Sequence, residues 1–222
     1  MTTAYDESYL SRARITLGSM LHFAVYDLER EISAFYENFI SSGLSRRFGH
    51  GEPKVTVGMS GAELANEVIY KTTGRECEIC PTPIYDKSPE YWTGWALAYY
   101  EWYKNISFEE INRIVPITDV VRLYNPLHEA DITKFVDIMD ERIDKTLRRD
   151  RLARLRTYAC LTQRALAENS GVSVRMIEQY EQGKKDLNKA SAETVYKLSK
   201  VLGCTMEELI GDQISSSLTF KG

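Results

Sequence analysis

The sequence predicts an all-α protein in two parts, a helical domain over residues 1–145 and a smaller one over 146–222. Three observations carry that expectation. Apolar residues recur three and four positions apart in nearly every segment, which is the period of a helix face rather than the alternation of a strand. Helix-start signals stand where those segments begin: Ser60-Gly61-Ala62-Glu63, Ser88-Pro89 and Ser107-Phe108-Glu109-Glu110. Charge divides as well. Residues 1–145 hold 15 Lys+Arg against 23 Asp+Glu, a balance of −8, while 146–222 hold 13 against 9, a balance of +4.

Taken in order, Leu10, Ile15, Leu17, Leu21 and Val25 predict a helix over 8–26. Ile32, Phe35, Phe39 and Ile40 predict a second over 28–41, ended by Ser42-Gly43. Residues 49–53, with two glycines and a proline, read as a loop. Lys54 to Val57 alternates like a short strand, but four residues cannot support a sheet. The capping box at Ser60 opens a helix to about Thr72, and 74–83 is irregular, holding Cys77-x-x-Cys80 and two prolines. Ser88-Pro89 opens the next helix, Ser107 and Glu110 form a second capping box, and Pro116 ends the helix they start. Asn125-Pro126 begins a long segment. From Leu127 to Ser170 there is no glycine or proline, and Ile132, Phe135, Val136, Met139, Ile143 and Leu147 keep helical spacing. One helix, or two nearly abutting ones, should therefore couple the domains stiffly, without a flexible linker.

The most specific stretch is Leu161 to Gly183, which reads as two short helices joined by a tight turn. Thr162 is placed to cap the first, running from Gln163 to Glu168 with Leu166 and Ala167 inward. Gly171 stands where the chain must reverse, a position that favours positive φ. Ser173 caps the second helix, whose Ile177 and Tyr180 point to one side with Val172, while Val174, Arg175, Met176 and Gln179 show the other face. Within 146–200 there are 12 Lys+Arg against 6 Asp+Glu, the footprint a phosphate backbone demands.

These residues, together with Glu181-Gln182-Gly183-Lys184, Glu193-Thr194, Lys197-Leu198, Leu202-Gly203-Cys204-Thr205 and Glu207-Glu208-Leu209, resemble the Cro/CI-type (XRE family) phage repressors and their bacterial relatives. The resemblance covers about the last seventy residues. It implies a five-helix, lambda-repressor-like domain whose second motif helix enters the major groove. Base contact would then fall to Val174, Arg175 and Gln179. Arginine can donate twice to guanine, glutamine can pair with adenine, and valine offers apolar contact to a thymine methyl. Gln163, Arg164, Ser173, Lys184 and Lys185 are the implied phosphate contacts, which fix register rather than read sequence. Arg156 and Glu181 match a family ion pair that braces two helices. The segment after Gly183 is longer than the family loop by about two residues and lacks its proline. Lys184, Lys185 and Lys189 there extend the phosphate contact, or the segment is a longer solvated turn.

The N-terminal domain carries no catalytic signature, and no enzyme, cofactor or metal is expected. Gly58-Met59-Ser60-Gly61 lacks the second glycine of a nucleophile elbow, since Ala62 stands there. Cys77 and Cys80 have ligand spacing but no second pair, and read as loop residues. His22 reads as a packed core histidine, and His128 sits at the start of a helix. The conspicuous feature is an aromatic stripe, Trp92, Trp95, Tyr99 and Trp102, on the helix after Ser88. It reads either as a bulky core or dimer helix, or as a partner or ligand surface.

Two functions follow. One is a DNA-binding transcriptional regulator, a homodimeric repressor on double-stranded DNA. The alternative is an antitoxin, whose N-terminal domain binds a toxin protein while the C-terminal domain autorepresses the operon. The first fourteen residues hold no apolar core before a small-residue cleavage site, and no apolar run is of membrane-spanning length. Four scattered cysteines do not make a disulfide scaffold, so a cytoplasmic address is expected.

Overall fold

The computed structural model describes residues 3–76 and 79–210. Every regular element among them is helical: α1 (Glu7–Tyr26), α2 (Ile32–Ser41), α3 (Leu44–Gly49), α4 (Pro53–Thr56), α5 (Gly61–Thr73), α6 (Pro89–Lys104), α7 (Phe108–Ile114), α8 (Ile117–Val121), α9 (Tyr124–Leu127), α10 (Ile132–Tyr158), α11 (Gln163–Ser170), α12 (Val174–Glu181), a 3-10 turn at Leu187–Lys189, α13 (Ala192–Leu202) and α14 (Met206–Ile210). The chain divides into two compact units, Met1–Asp140 and Glu141–Gly222, and the division falls within α10.

Local signals place most helix starts. Asp6 caps α1 by accepting from Ser8 N, and the Ser60–Glu63 box is reciprocal, with Glu63 N on Ser60 Oγ at 3.2 Å and Ser60 N on Glu63 Oε2 at 2.7 Å. Ser88 caps α6 with Pro89 behind it. Ser107 accepts from Glu110 N, but the Glu110 carboxylate reaches Arg113 instead of completing a box. Three sequence readings need correction. The second helix begins at Ile32 and not at residue 28, because Glu29 is left-handed (φ 50) and Glu31 supplies the cap. The strand-like Lys54–Val57 is mostly the short α4, started by Pro53, whose fixed φ suits a first helical turn. Asn125-Pro126 lies inside α9, and His128 follows that helix, its ring stacked on Tyr124 at 4.5 Å.

In the first unit α6 is central and α1 crosses it at glycine on glycine. A Cβ on Gly94 would stand 2.5 Å from the Leu17 carbonyl oxygen, and one on Gly18 would stand 2.8 Å from that of Tyr91. Phe39, Phe48 and Phe108 meet edge to face at 5.8–6.4 Å and tie α2, α3 and α7 together. Phe135 of α10 packs edge-on against Trp92 and Tyr100 of α6. The aromatic stripe is therefore largely interior. Trp92 and Trp102 are both 8 % exposed, and the Trp102 indole donates to the Tyr5 carbonyl oxygen at 2.9 Å. That removes these two from any outward partner surface. Trp95 and Tyr99 are half-buried under the Arg14 guanidinium, which lies 3.3 Å from the Trp95 ring centre.

Glu101 on the same helix is 3 % exposed, and its Oε2 has no hydrogen-bond partner among the described residues. Burial pushes this carboxyl well above the usual range. The folded state then binds one proton more than the unfolded chain, from the ordinary carboxylate pKa up to the raised one. Stability contributed by this group is present in full at low pH and is lost as pH rises through that window. Glu101→Gln should abolish this loss and raise stability at neutral pH. Urea midpoints at pH 4 and pH 8 check it: the variant's advantage should grow with pH, and a pH-independent difference contradicts the assignment.

The second unit is built on Leu152 of α10, Leu166 and Ala167 of α11, Val172, Ile177 and Tyr180 around α12, Leu187, Val195, Leu198 and Leu202 of α13, and Leu209 of α14. Five helices converge there, as a lambda-repressor-like domain requires.

Candidate nucleic-acid interface

The helix-turn-helix is assembled from local hydrogen bonds. Thr162 accepts from Ala165 N at 3.0 Å and starts α11. Gly171 ends that helix at φ 69, a conformation strained for other residues. Ser173 accepts from Met176 N at 3.3 Å and starts α12 after a turn of three residues. Ile177 (0 % exposed) and Tyr180 (5 %) fasten α12 to the core, and burial raises the Tyr180 phenol's pKa. Elsewhere on α12 Arg175 is exposed, while Val174, Met176, Glu178 and Gln179 are half-buried.

Of the three base-reading candidates, Arg175 alone is exposed. Gln179 is half-buried, and its backbone oxygen accepts from Lys185 N at 3.0 Å. Val174 is half-buried and packs against the domain core, so part of its surface is already taken. The interface thus offers one extended cation, one amide and a partly covered methyl pair.

The phosphate candidates separate likewise. Ser173 is exposed, with its oxygen occupied as the cap and its hydroxyl proton left to donate. Lys184 and Lys185 are exposed just past Gly183 (φ 67), where Lys185 Nζ rests 3.4 Å from the Met176 sulfur. Arg164 is exposed and pairs with Glu168 one turn on at 3.1 Å, a contact solvent makes weak. Gln163 is the exception. Its Nε2 donates to Glu181 Oε2 at 2.7 Å, leaving one amide hydrogen for anything outside the domain. That bond has no local mark in the sequence, since its partners stand eighteen positions apart.

Glu181 is the hub of the motif. Its oxygens accept from Arg156 Nε at 2.7 Å and Nη2 at 3.1 Å as well as from Gln163, and Arg156 Nη1 also reaches the Leu161 carbonyl oxygen at 2.8 Å. The end of α10, the start of α11 and the end of α12 are locked through one carboxylate. The carboxylate in turn raises the pKa of Arg156. The segment after Gly183 is neither slack nor wholly solvated. Asp186 caps its 3-10 turn, and Leu187, 8 % exposed, plugs it into the core, holding Lys184, Lys185 and Lys189 outside.

Among the described residues no group of three or more His, Cys, Asp or Glu could hold a metal ion, and Cys77 lies outside them. No described helix is long and apolar enough to cross a membrane. Residues 152–209 match the helix-turn-helix family model. No curated protein and no solved structure matches the chain. The matched stretch holds the whole unit just described, from the Leu152 core position to Leu209, and supports reading that unit as a DNA-binding helix-turn-helix domain of the XRE type.

Proposed function

We propose that the protein is a sequence-specific transcriptional repressor that binds an inverted repeat as a homodimer, with α12 of each copy in the major groove. The observation that carries this is the outward Arg175 in the first turn of a helix whose other face is sealed by Ile177 and Tyr180. In the groove that arginine donates twice to a guanine and Gln179 pairs with an adjacent adenine. Ser173, Lys184 and Lys185 flank the helix on the phosphates and set its register, with Gln163 and Arg164 adding to the same contact. One such helix reads only a few base pairs, so two copies on half-sites about 34 Å apart supply the length of an operator. A bound dimer over a promoter excludes polymerase, which makes repression the natural output.

An operator selected from random duplexes, followed by gel shift and footprinting, tests the reading. Arg175→Ala should weaken binding by about 1–3 kcal/mol and relax preference at one base pair per half-site. Lys184→Ala should weaken all sequences alike and lower the salt slope by about one. Selection of a site without inverted symmetry, or equal binding by wild type and Arg175→Ala, contradicts it.

A further inference from the structure

The two flanks of α12 differ in charge, and that difference bears on which side chain meets a thymine methyl. Residues three or four apart are neighbours on a helix surface. Val174 therefore stands beside Glu178 on one flank, and Met176 beside Gln179 on the other. All four are half-buried, and Val174 and Met176 both rest in part on the domain core. Exposure does not separate the two apolar residues, but charge does.

Lys185 belongs to the Met176 flank. Its backbone N–H donates to the Gln179 carbonyl oxygen at 3.0 Å, and its exposed side chain turns back along α12 until Nζ stands 3.4 Å from Met176 Sδ. The ammonium gives one hydrogen to a weak sulfur acceptor and keeps two for a phosphate. The same contact holds the methionine chain, which is otherwise flexible about three bonds. The Val174 flank presents the Glu178 carboxylate instead, which a phosphate chain repels.

Resting on the reading that α12 lies in the major groove, the Met176 flank is the one drawn toward a sugar–phosphate strand. The thymine C5-methyl is the apolar group on the major-groove edge, and it lies on the side of the base nearest its own strand. We propose that Met176 is a specificity-determining residue, its thioether reading a thymine methyl beside the phosphate that Lys185 holds, while Val174 serves the domain core.

Deoxyuridine tests this, because it removes the methyl and keeps the pairing edge and O4. Each thymine of the selected operator is replaced in turn, and gel shift gives the thymine-to-uracil affinity ratio for each protein. Wild type should lose about fourfold at one thymine per half-site, the value of one buried methylene-sized group. Met176→Ala should show a ratio near one at that position, and Val174→Ala the wild-type ratio. Each ratio compares two duplexes on one protein preparation, so a lowered folded fraction cancels. If Met176→Ala loses its helical circular dichroism, Met176→Gln, similar in length but polar at its end, takes its place with the same expectation. The proposal is overturned by the lack of any methyl effect in wild type, by a ratio that survives the Met176 substitution, or by one that disappears in Val174→Ala. If Arg175→Ala still relaxes one base pair in those cases, the groove reading of α12 stands and only the role of Met176 falls. Absence of any sequence-selective binding overturns both.

Discussion

Glu181→Ala should destabilise the helix-turn-helix unit by about 3 kcal/mol, the low end of what breaking a buried ion pair costs. The carboxylate takes three hydrogen bonds from two residues, and the Arg156 and Glu181 side chains are only 17 % and 7 % exposed. Truncating it leaves a guanidinium with the Leu161 carbonyl as its remaining protein acceptor, and frees Gln163. The effect therefore exceeds that of a surface pair, whose median value is about 0–1 kcal/mol. DNA binding should fall with stability, because the same carboxylate holds α11 and α12 in their mutual register. Urea unfolding followed by circular dichroism reads the first effect and gel shift the second. Arg156→Met with Glu181→Leu discriminates further: a double apolar replacement should recover much of the loss, since neither charge is then stranded. A cost below about 0.5 kcal/mol for Glu181→Ala would place the pair among ordinary surface contacts.

The DNA-reading unit was legible in the sequence because its signals are local. Thr162, Gly171 and Ser173 each act within three residues of themselves, and the structure puts each where its chemistry requires. The bond from Gln163 to Glu181 spans eighteen positions and has no local mark, so Gln163 could only be placed by resemblance. The same limit explains the first unit. α3 and α4 were invisible because neither is long enough to show a period, and both exist through Leu44, Phe48 and Val55, each fully buried. The aromatic stripe was read correctly as helical. Its orientation was open because helical spacing names a shared face without saying what covers it. The cover came from Phe135, Tyr124 and the Tyr5 carbonyl, which no spacing rule connects to α6.

The crossing of α1 and α6 makes the second large prediction. Gly94→Ala replaces a residue that is poor in helices with the best one, a gain of about 1 kcal/mol at an exposed site. Here the sign should reverse. The added methyl would stand 2.5 Å from the Leu17 carbonyl oxygen, 2.7 Å from its carbon and 2.9 Å from the Gly18 Cα. All three are backbone atoms inside a continuous helix, so no rotamer change can relieve the contact, and α1 must move off α6. Overpacking of this kind costs about 1–3 kcal/mol, and at a backbone-on-backbone contact the upper end applies, giving a net loss of about 2 kcal/mol after the propensity gain. The loss should spread to α5, because its first residue Gly61 is pressed against Ser19 and Met20 of the same α1. The chain's three tryptophans, Trp92, Trp95 and Trp102, all lie on α6, so tryptophan emission reports on this helix. Urea unfolding followed at the tryptophan emission should show a lowered midpoint for Gly94→Ala. A midpoint at or above wild type would mean that α1 and α6 do not meet backbone to backbone.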